Sequence, residues 1–209
     1  MTKVEYEKSL EKLLDKIIYC ESNRQIYKRL TELCGIGKKY EDVAKQGDMF
    51  FGMIVHNLLN ELLMELSRMY DEDRENKAFS LIKMKNIAEQ NQEWFIEHCD
   101  KNDISRDEIK KLFVELNEIY ANIQNSRKTI ITIRDKYLAH FDKRYVLNSE
   151  ELYQNLSWGD VEDLINCAST MVNRVTCLLN GQYTMVDWIG DSGVDNLIRA
   201  AHKGLNMSD

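Results

Sequence analysis

Apolar residues recur along this chain almost everywhere at helical spacing. Over residues 3–33, Leu10, Leu13, Leu14, Ile17, Ile26, Leu30 and Leu33 predict a charged amphipathic helix. Three glycines in 34–48 predict a loop with at most a helical turn. Residues 48–69, "DMFFGMIVHNLLNELLMELSRM", are the most apolar stretch. Asp48 is a candidate N-cap. Apolar positions on more than one face predict a central helix packed from two sides. His56 and Asn60, four apart, read as a buried hydrogen-bonded pair.

After a short polar connection, "YDEDREN" (70–76), residues 77–98 predict a helix carrying Phe79, Leu81, Ile82, Met84, Ile87, Trp94, Phe95 and Ile96. Ser105 and Glu108 match a capping box. From there a stripe of Leu112, Leu116, Tyr120, Ile123, Ile130, Ile133 and Tyr137 runs to about residue 141. Such a helix spans roughly 50 Å at ~1.5 Å per residue, unless it kinks at "QNSR" (124–127). Residues 141–156 read as a break, with a cap at Asn148–Glu151 for a short turn. Ser157 and Asp160 resemble a second capping box. The helix after it is apolar from Val161 to Leu179 and stops at Asn180-Gly181. Asp191 or Ser192 would cap a short last helix, to about residue 203.

No stretch shows the alternation of a strand, and no repeat or low-complexity tract appears. The 209 residues hold no proline, which favours long helices and short connections. The expectation is an all-α bundle forming one compact domain: an N-terminal helix and loop packed on the core (1–47), a central bundle (48–181), and a C-terminal extension with a short helix (182–209).

Charge changes the functional picture more than the fold. The chain carries −7, which argues against a broad nucleic-acid surface but not against a small local site. Segment 127–144, "RKTIITIRDKYLAHFDKR", holds six Arg or Lys against two Asp, a local +4. Five cysteines (20, 34, 99, 167, 177) in helical text, with no C-x-x-C, read as reduced buried thiols. No signal peptide or membrane-length apolar run is seen, so a cytoplasmic protein with no membrane partner is expected. Phosphate-cradling glycine motifs, the nucleophile elbow and H-E-x-x-H are all missing. So is the E-x-x-H of helical di-metal sites. No metal site and no cofactor are therefore expected.

One segment concentrates chemistry: "RDKYLAH" (134–140). At ~100° per residue, Arg134, Lys136, Tyr137 and His140 share an arc, and Asp135 points elsewhere. Arg134 and His140 lie about 120° apart on that arc. Two facing motif helices could set the His of one chain beside the Arg of the other. Histidine can take a proton from a ribose 2′-OH or give one to a leaving 5′-oxygen near neutral pH. A guanidinium can stabilise the charge on phosphorus. By spacing alone, a surface Arg and a helix-terminal His explain the same residues.

The run "IRDKYLAHFDK" (133–143) resembles the R-x(4–6)-H signature of the HEPN superfamily, an all-helical group. It is closer still to the abortive-infection, AbiU-like branch. There a motif like RDKxxAH ends a long helix, preceded by a segment like "LSRMYDEDRENKAFSLIKM" (66–84) and followed by one like "SWGDVEDLINCASTMVNRV" (157–175). The likeness spans roughly residues 50–185.

The resemblance implies a HEPN-like bundle with extra N- and C-terminal helices. It also implies a metal-independent endoribonuclease of the phage-defence or toxin kind, acting on RNA as a homodimer through the 127–144 helix, with an antitoxin protein as a further partner. Arg134 would meet the scissile phosphate, His140 would act as general acid–base, and Asp135 would orient one of them. Lys136, Tyr137, Arg127, Lys143 and Arg144 are the candidate phosphate and RNA contacts. Some HEPN toxins carry a Tyr two residues after the His, where this chain has Asp142. The alternatives are a non-catalytic helical dimer that binds RNA or a protein, and a helical regulatory protein whose motif is only a helix end.

Overall fold

The computed structural model describes residues 1–72, 79–138, 155–186 and 191–206, with Tyr137, Leu138, Asp191, Ser192 and Asn206 described by backbone alone. The expected short turn capped at Asn148–Glu151 lies outside them. Every regular element among the described residues is helical: α1 (Lys3–Cys34), α2 (Glu41–Gln46), α3 (Asp48–Met69), α4 (Leu81–Gln90), α5 (Glu93–Lys101), α6 (Asp107–Asn122), α7 (Gln124–Ile133), a π-helical segment (Arg134–Leu138), α8 (Trp158–Asn180) and α9 (Asp191–Asn206). The all-α expectation holds.

The chain divides into two compact units, and the divisions fall inside α1 and α3 rather than at residue 47 or 182. One unit combines Met1–Ile17 with Leu63–Val186, and the other combines Ile18–Leu62 with Asp187–Asp209. The reason is helix length: each of these long helices gives one end to one core and the other end to the second.

In the first unit α8 is the centre, packed by α4, α5, α6 and α7. Val161, Leu164, Ile165, Ala168, Met171, Val172 and Val175 are buried along it. Its ends are cut by local chemistry. Ser157 Oγ accepts from the Asp160 amide at 3.1 Å, and Asp160 Oδ2 accepts from the Ser157 amide at 2.8 Å, the reciprocal capping box. Gly181 closes the helix at φ 76°, and a Cβ there would also meet His98 Cε1 at 2.9 Å. Position 181 therefore needs glycine both for its backbone angle and for space.

The second unit gathers Leu30, Cys34, Tyr40, Val43 and Ile198 into a small core. Arg29 clamps Asp195 with two bonds of 2.6 Å, Nε to Oδ1 and Nη2 to Oδ2, tying α9 to α1. His202 Nδ1 lies 2.8 Å from Asp42 Oδ2, linking α9 to α2.

Several expectations are corrected. Only the second half of α3 is buried, at Leu62, Leu63, Leu66 and Met69, whereas Met49, Phe50 and Met53 are 81%, 62% and 57% exposed. Its apolar surplus is therefore an uncovered face, not a helix packed from two sides. Asp48 begins α3 from inside, not as its cap. His56 Nε2 and Asn60 Nδ2 lie 2.8 Å apart, but on an exposed surface. The predicted 77–98 helix is two helices. Asn91 ends the first, its side chain donating to the Ile87 carbonyl at 2.7 Å. Ser105 forms no capping box, since α6 begins two residues later with Arg106 as its N-cap. None of the five cysteines is in a disulfide, and Cys177 is exposed rather than buried.

Two stability predictions follow from burial and capping. Leu66→Ala should cost about 2–5 kcal/mol, whereas Phe50→Ser should cost within about 0.5 kcal/mol. Urea midpoints that do not separate the two variants would contradict this burial pattern. The Ser157 and Ser126 hydroxyls, with the Ser157 amide, hold the Asp160 carboxyl below the usual aspartate range. A depressed folded pKa stabilises above the unfolded value of ~3.9 and stops doing so as pH falls through the folded one. Asp160→Ala should therefore cost about 1 kcal/mol at neutral pH, with the gap to wild type closing in acid.

Candidate functional site: the clamped arginines of the motif helix

The expected single helix from 105 to 141 is three segments. α6 buries Ile109, Leu112, Phe113 and Leu116 and ends at Asn122. Ile123 turns the chain, and α7 then buries Arg127, Ile130 and Ile133. The kink therefore falls where "QNSR" begins. At Arg134 the helix widens into i→i+5 geometry through Leu138. Such π turns are uncommon inside helices and concentrate at functional sites. The wider turn also changes the angular positions expected for a regular α-helix.

Arg127 and Arg134 stand two turns apart, and each meets a carboxylate from one short turn. Arg134 Nη1 donates to Asp71 Oδ2 at 2.6 Å, and its Nε donates to Asp135 Oδ1 at 2.7 Å. Asp135 thus turns its carboxylate onto Arg134 instead of pointing away from it. The Asp71 side chain is 11% exposed, the Arg134 side chain 17% and the Asp135 side chain 43%, so the Asp71 bond is the more desolvated of the two. Burial opposes the guanidinium's charge, but Asp135 and Asp71 outweigh it and raise the Arg134 pKa.

Arg127 is buried. Its Nη1 donates to Glu72 Oε1 and, at 2.9 Å, to Tyr120 Oη. Its guanidinium carbon also lies 4.9 Å from the centre of the Tyr120 ring. Burial pushes the Tyr120 phenol up to about 12, so it stays protonated. Tyr120 Oη in turn donates to Glu72 at 3.2 Å. Arg127, expected to meet RNA phosphates, is occupied with holding the helix in place.

The carboxylate pair is fixed from behind. Tyr70 is fully buried, donates its hydroxyl to the Leu164 carbonyl of α8, and sets its ring 6.2 Å from that of Tyr120. Tyr70, Asp71 and Glu72 therefore tie the end of α3 to α8, to the π segment and to α7 in three successive residues. By sequence alone these residues read as a polar connection. The available signal was Arg127 falling in register with Ile130 and Ile133, because an arginine on a buried stripe requires a carboxylate from elsewhere.

The outer face of the motif helix is polar. A cleft of about 430 Å³ runs along α7, lined by Asn125, Lys128, Thr129, Thr132 and Asn155. Lys136, one turn beyond Thr132, is exposed and continues the stripe. His140, Lys143 and Arg144 lie outside the described residues. Tyr137 belongs to the π segment by its backbone. Among the described residues no group of three His, Cys, Asp or Glu is placed to hold a metal ion, and no helix is long and apolar enough to cross a membrane.

A family model described as AbiU2, of the HEPN group, matches residues 7–199. No curated protein and no solved structure matches the chain.

The unequal exposure of the two carboxylates yields a prediction. Asp71→Ala should cost about 2 kcal/mol, because it leaves a largely buried guanidinium short of a partner. Asp135→Ala should cost less than about 1 kcal/mol. Equal losses in urea unfolding would remove Asp71 as the main anchor of Arg134.

Proposed function

The chain belongs to the AbiU2 family of HEPN proteins, a group of the abortive-infection type, and on that premise we propose that it is a metal-independent endoribonuclease acting in phage defence or as a toxin. The observation that carries this proposal is Arg134, set at the start of a π segment and oriented by two carboxylates. Its Nε and Nη1 are engaged. Among the described residues Nη2 has no partner, so this nitrogen is the one to meet a phosphate oxygen.

In this reaction the 2′-oxygen attacks the adjacent phosphorus while the bond from phosphorus to the 5′-oxygen breaks. His140 takes the proton of the 2′-OH or supplies one to the leaving 5′-oxygen. Arg134 stabilises the additional negative charge at phosphorus. Because both arginine bonds are formed before substrate arrives, little reorganisation is left for the reaction itself. Asp135 positions Arg134 from the exposed side and Asp71 from the buried side. Lys136, with Lys143, Arg144 and Tyr137, completes the RNA contacts. A second copy meeting the first across the motif helices would supply a second His140, over a face that is polar where it is described.

A second reading is a non-catalytic helical protein that binds RNA or a protein partner such as an antitoxin. The uncovered apolar face of α3 at Met49, Phe50 and Met53 favours it.

Mixed single-stranded and transfer RNA, incubated with purified protein in EDTA, separates the two readings. Wild type should leave 2′,3′-cyclic phosphate or 3′-phosphate ends. Arg134→Ala and His140→Ala should each reduce the rate by roughly 10²–10⁴-fold. Equal RNA degradation by all three proteins would mark a contaminant. Binding without cleavage, unchanged in His140→Ala, would establish the second reading.

A further inference from the structure

A second cationic feature of the first unit lies outside the motif. A cavity of about 230 Å³ opens between α1 and the end of α3, lined by Lys12, Leu13, Lys16, Arg68, Met69 and Phe79, with Ser9 at its edge. Three of these residues are cations and none is acidic, in a chain whose net charge is −7. Beneath them lies Glu65, whose side chain is only 12% exposed. Its two oxygens accept from Lys16 Nζ, at 2.6 Å, and from Arg68 Nη1. Burial alone would raise the Glu65 pKa, but Lys16 and Arg68 outweigh it and the carboxyl stays ionised. One buried carboxylate thus orders two half-exposed cations at the cavity. Lys12 is exposed and makes no ion pair among the described residues.

Apart from Ser9, the rest of the lining is apolar and includes an aromatic ring. Phe79 is held edge-on by Tyr6, with ring centres 6.0 Å apart, and Tyr6 is itself fixed by a 3.0 Å bond to the Met84 carbonyl. Lys12 and Lys16 are four residues apart, on one side of α1. A flat ring against Phe79, over the buried Leu13 and Met69, with a phosphate at the cations, is the chemistry of a nucleotide. The size admits about one nucleoside, below the range of larger cofactor pockets.

Arg68 also connects the cavity to the motif. The Asp71 amide donates to the Arg68 carbonyl at 3.4 Å, and the Asp71 carboxylate holds Arg134. Cavity and clamped arginine therefore hang on the same turn of chain. We propose that this cavity is a docking subsite for one nucleotide of the RNA strand: its base stacks on Phe79 and its phosphate lies against Lys12, Lys16 and Arg68. This rests on the nuclease proposal above and adds to it a second anchoring point that depends little on base identity.

The test is equilibrium binding of a short single-stranded RNA over a salt series, with wild type, Lys12→Ala and Phe79→Leu, beside cleavage assays and a titration with nucleoside 5′-monophosphates. Lys12 is exposed, and Leu keeps most of the volume of Phe79, so both variants should fold, which their helical circular dichroism will show. Lys12→Ala should flatten the dependence of log affinity on log salt by about 0.7. Phe79→Leu should weaken RNA binding roughly tenfold. Unchanged affinity and salt slope in both variants, with wild type still cleaving RNA, would overturn the subsite and leave the nuclease reading standing. A wild type that ignores RNA yet binds monophosphates, and loses them in both variants, would overturn the nuclease reading and with it the RNA subsite. The cavity would then belong to a free nucleotide.

Discussion

Two arginines on a buried helix face, and the carboxylates that neutralise them, set the geometry of the first unit. Arg127 occupies a core position in register with Ile130 and Ile133. An unpaired guanidinium there would cost several kcal/mol. Glu72 and Tyr120 remove most of that cost, and Asp71 with Asp135 does the same for Arg134. An apolar residue at 127 would pack at least as well in energetic terms, since buried ion pairs often stabilise no more than well-packed hydrophobic groups. What the pairing adds is direction. Hydrophobic contact tolerates rotation of a helix about its axis, whereas two guanidiniums reaching two successive carboxylates fix both rotation and register.

That constraint explains why the motif helix is built in segments. Arg127 and Arg134, seven residues apart, must both reach a turn whose carboxylates are adjacent in sequence. Regular α geometry from Ser105 onward would place these side chains by its own period. The turn at Ile123 resets the phase before Arg127, and the π segment begins at Arg134 itself. The irregularities thus fall at the boundaries of the clamped stretch. Under the proposed function, the requirement that Arg134 be positioned before substrate arrives would coincide with the requirement that the helix be held.

Helix identity was largely legible in the sequence, because periodicity and local caps decide it. The Ser157 and Asp160 pairing and the Gly181 stop are chemistry among neighbours in the chain, and both occur as expected. Ser105 and Glu108 fit the same pattern but make no such box, since the helix starts beyond Ser105 and a cap depends on where the first turn closes. Tertiary facts were less accessible. Apolar text in α3 cannot say which half is covered, because coverage depends on elements far away in the chain. The roles of Asp71 and Glu72 depend on a partner more than fifty residues away, and an acidic turn by itself looks like solvated loop. Of the site, the motif segment was found at once from its resemblance to known HEPN proteins. The turn that orients it lies within the resembling segment 66–84, but by composition alone it reads as a connection.

The acidic character of the whole chain bears directly on how it could handle a polyanion. With −7 overall, nonspecific attraction to RNA is weak at long range, and binding rests on places where cations are held without free carboxylates beside them. Arg134 is not such a place on its own: Asp71 and Asp135 compensate it, which suits it to recognising charge that builds up during a reaction more than to gathering RNA from solution. Exposed cations are better suited to gathering, among them Lys136 and Lys128 on the motif helix and Lys12 on α1. Under the proposed nuclease function, separating attraction from chemistry in this way would restrict cleavage to strands that satisfy several weak contacts together. That would be a physical route by which a nuclease of the proposed kind spares most of the RNA around it.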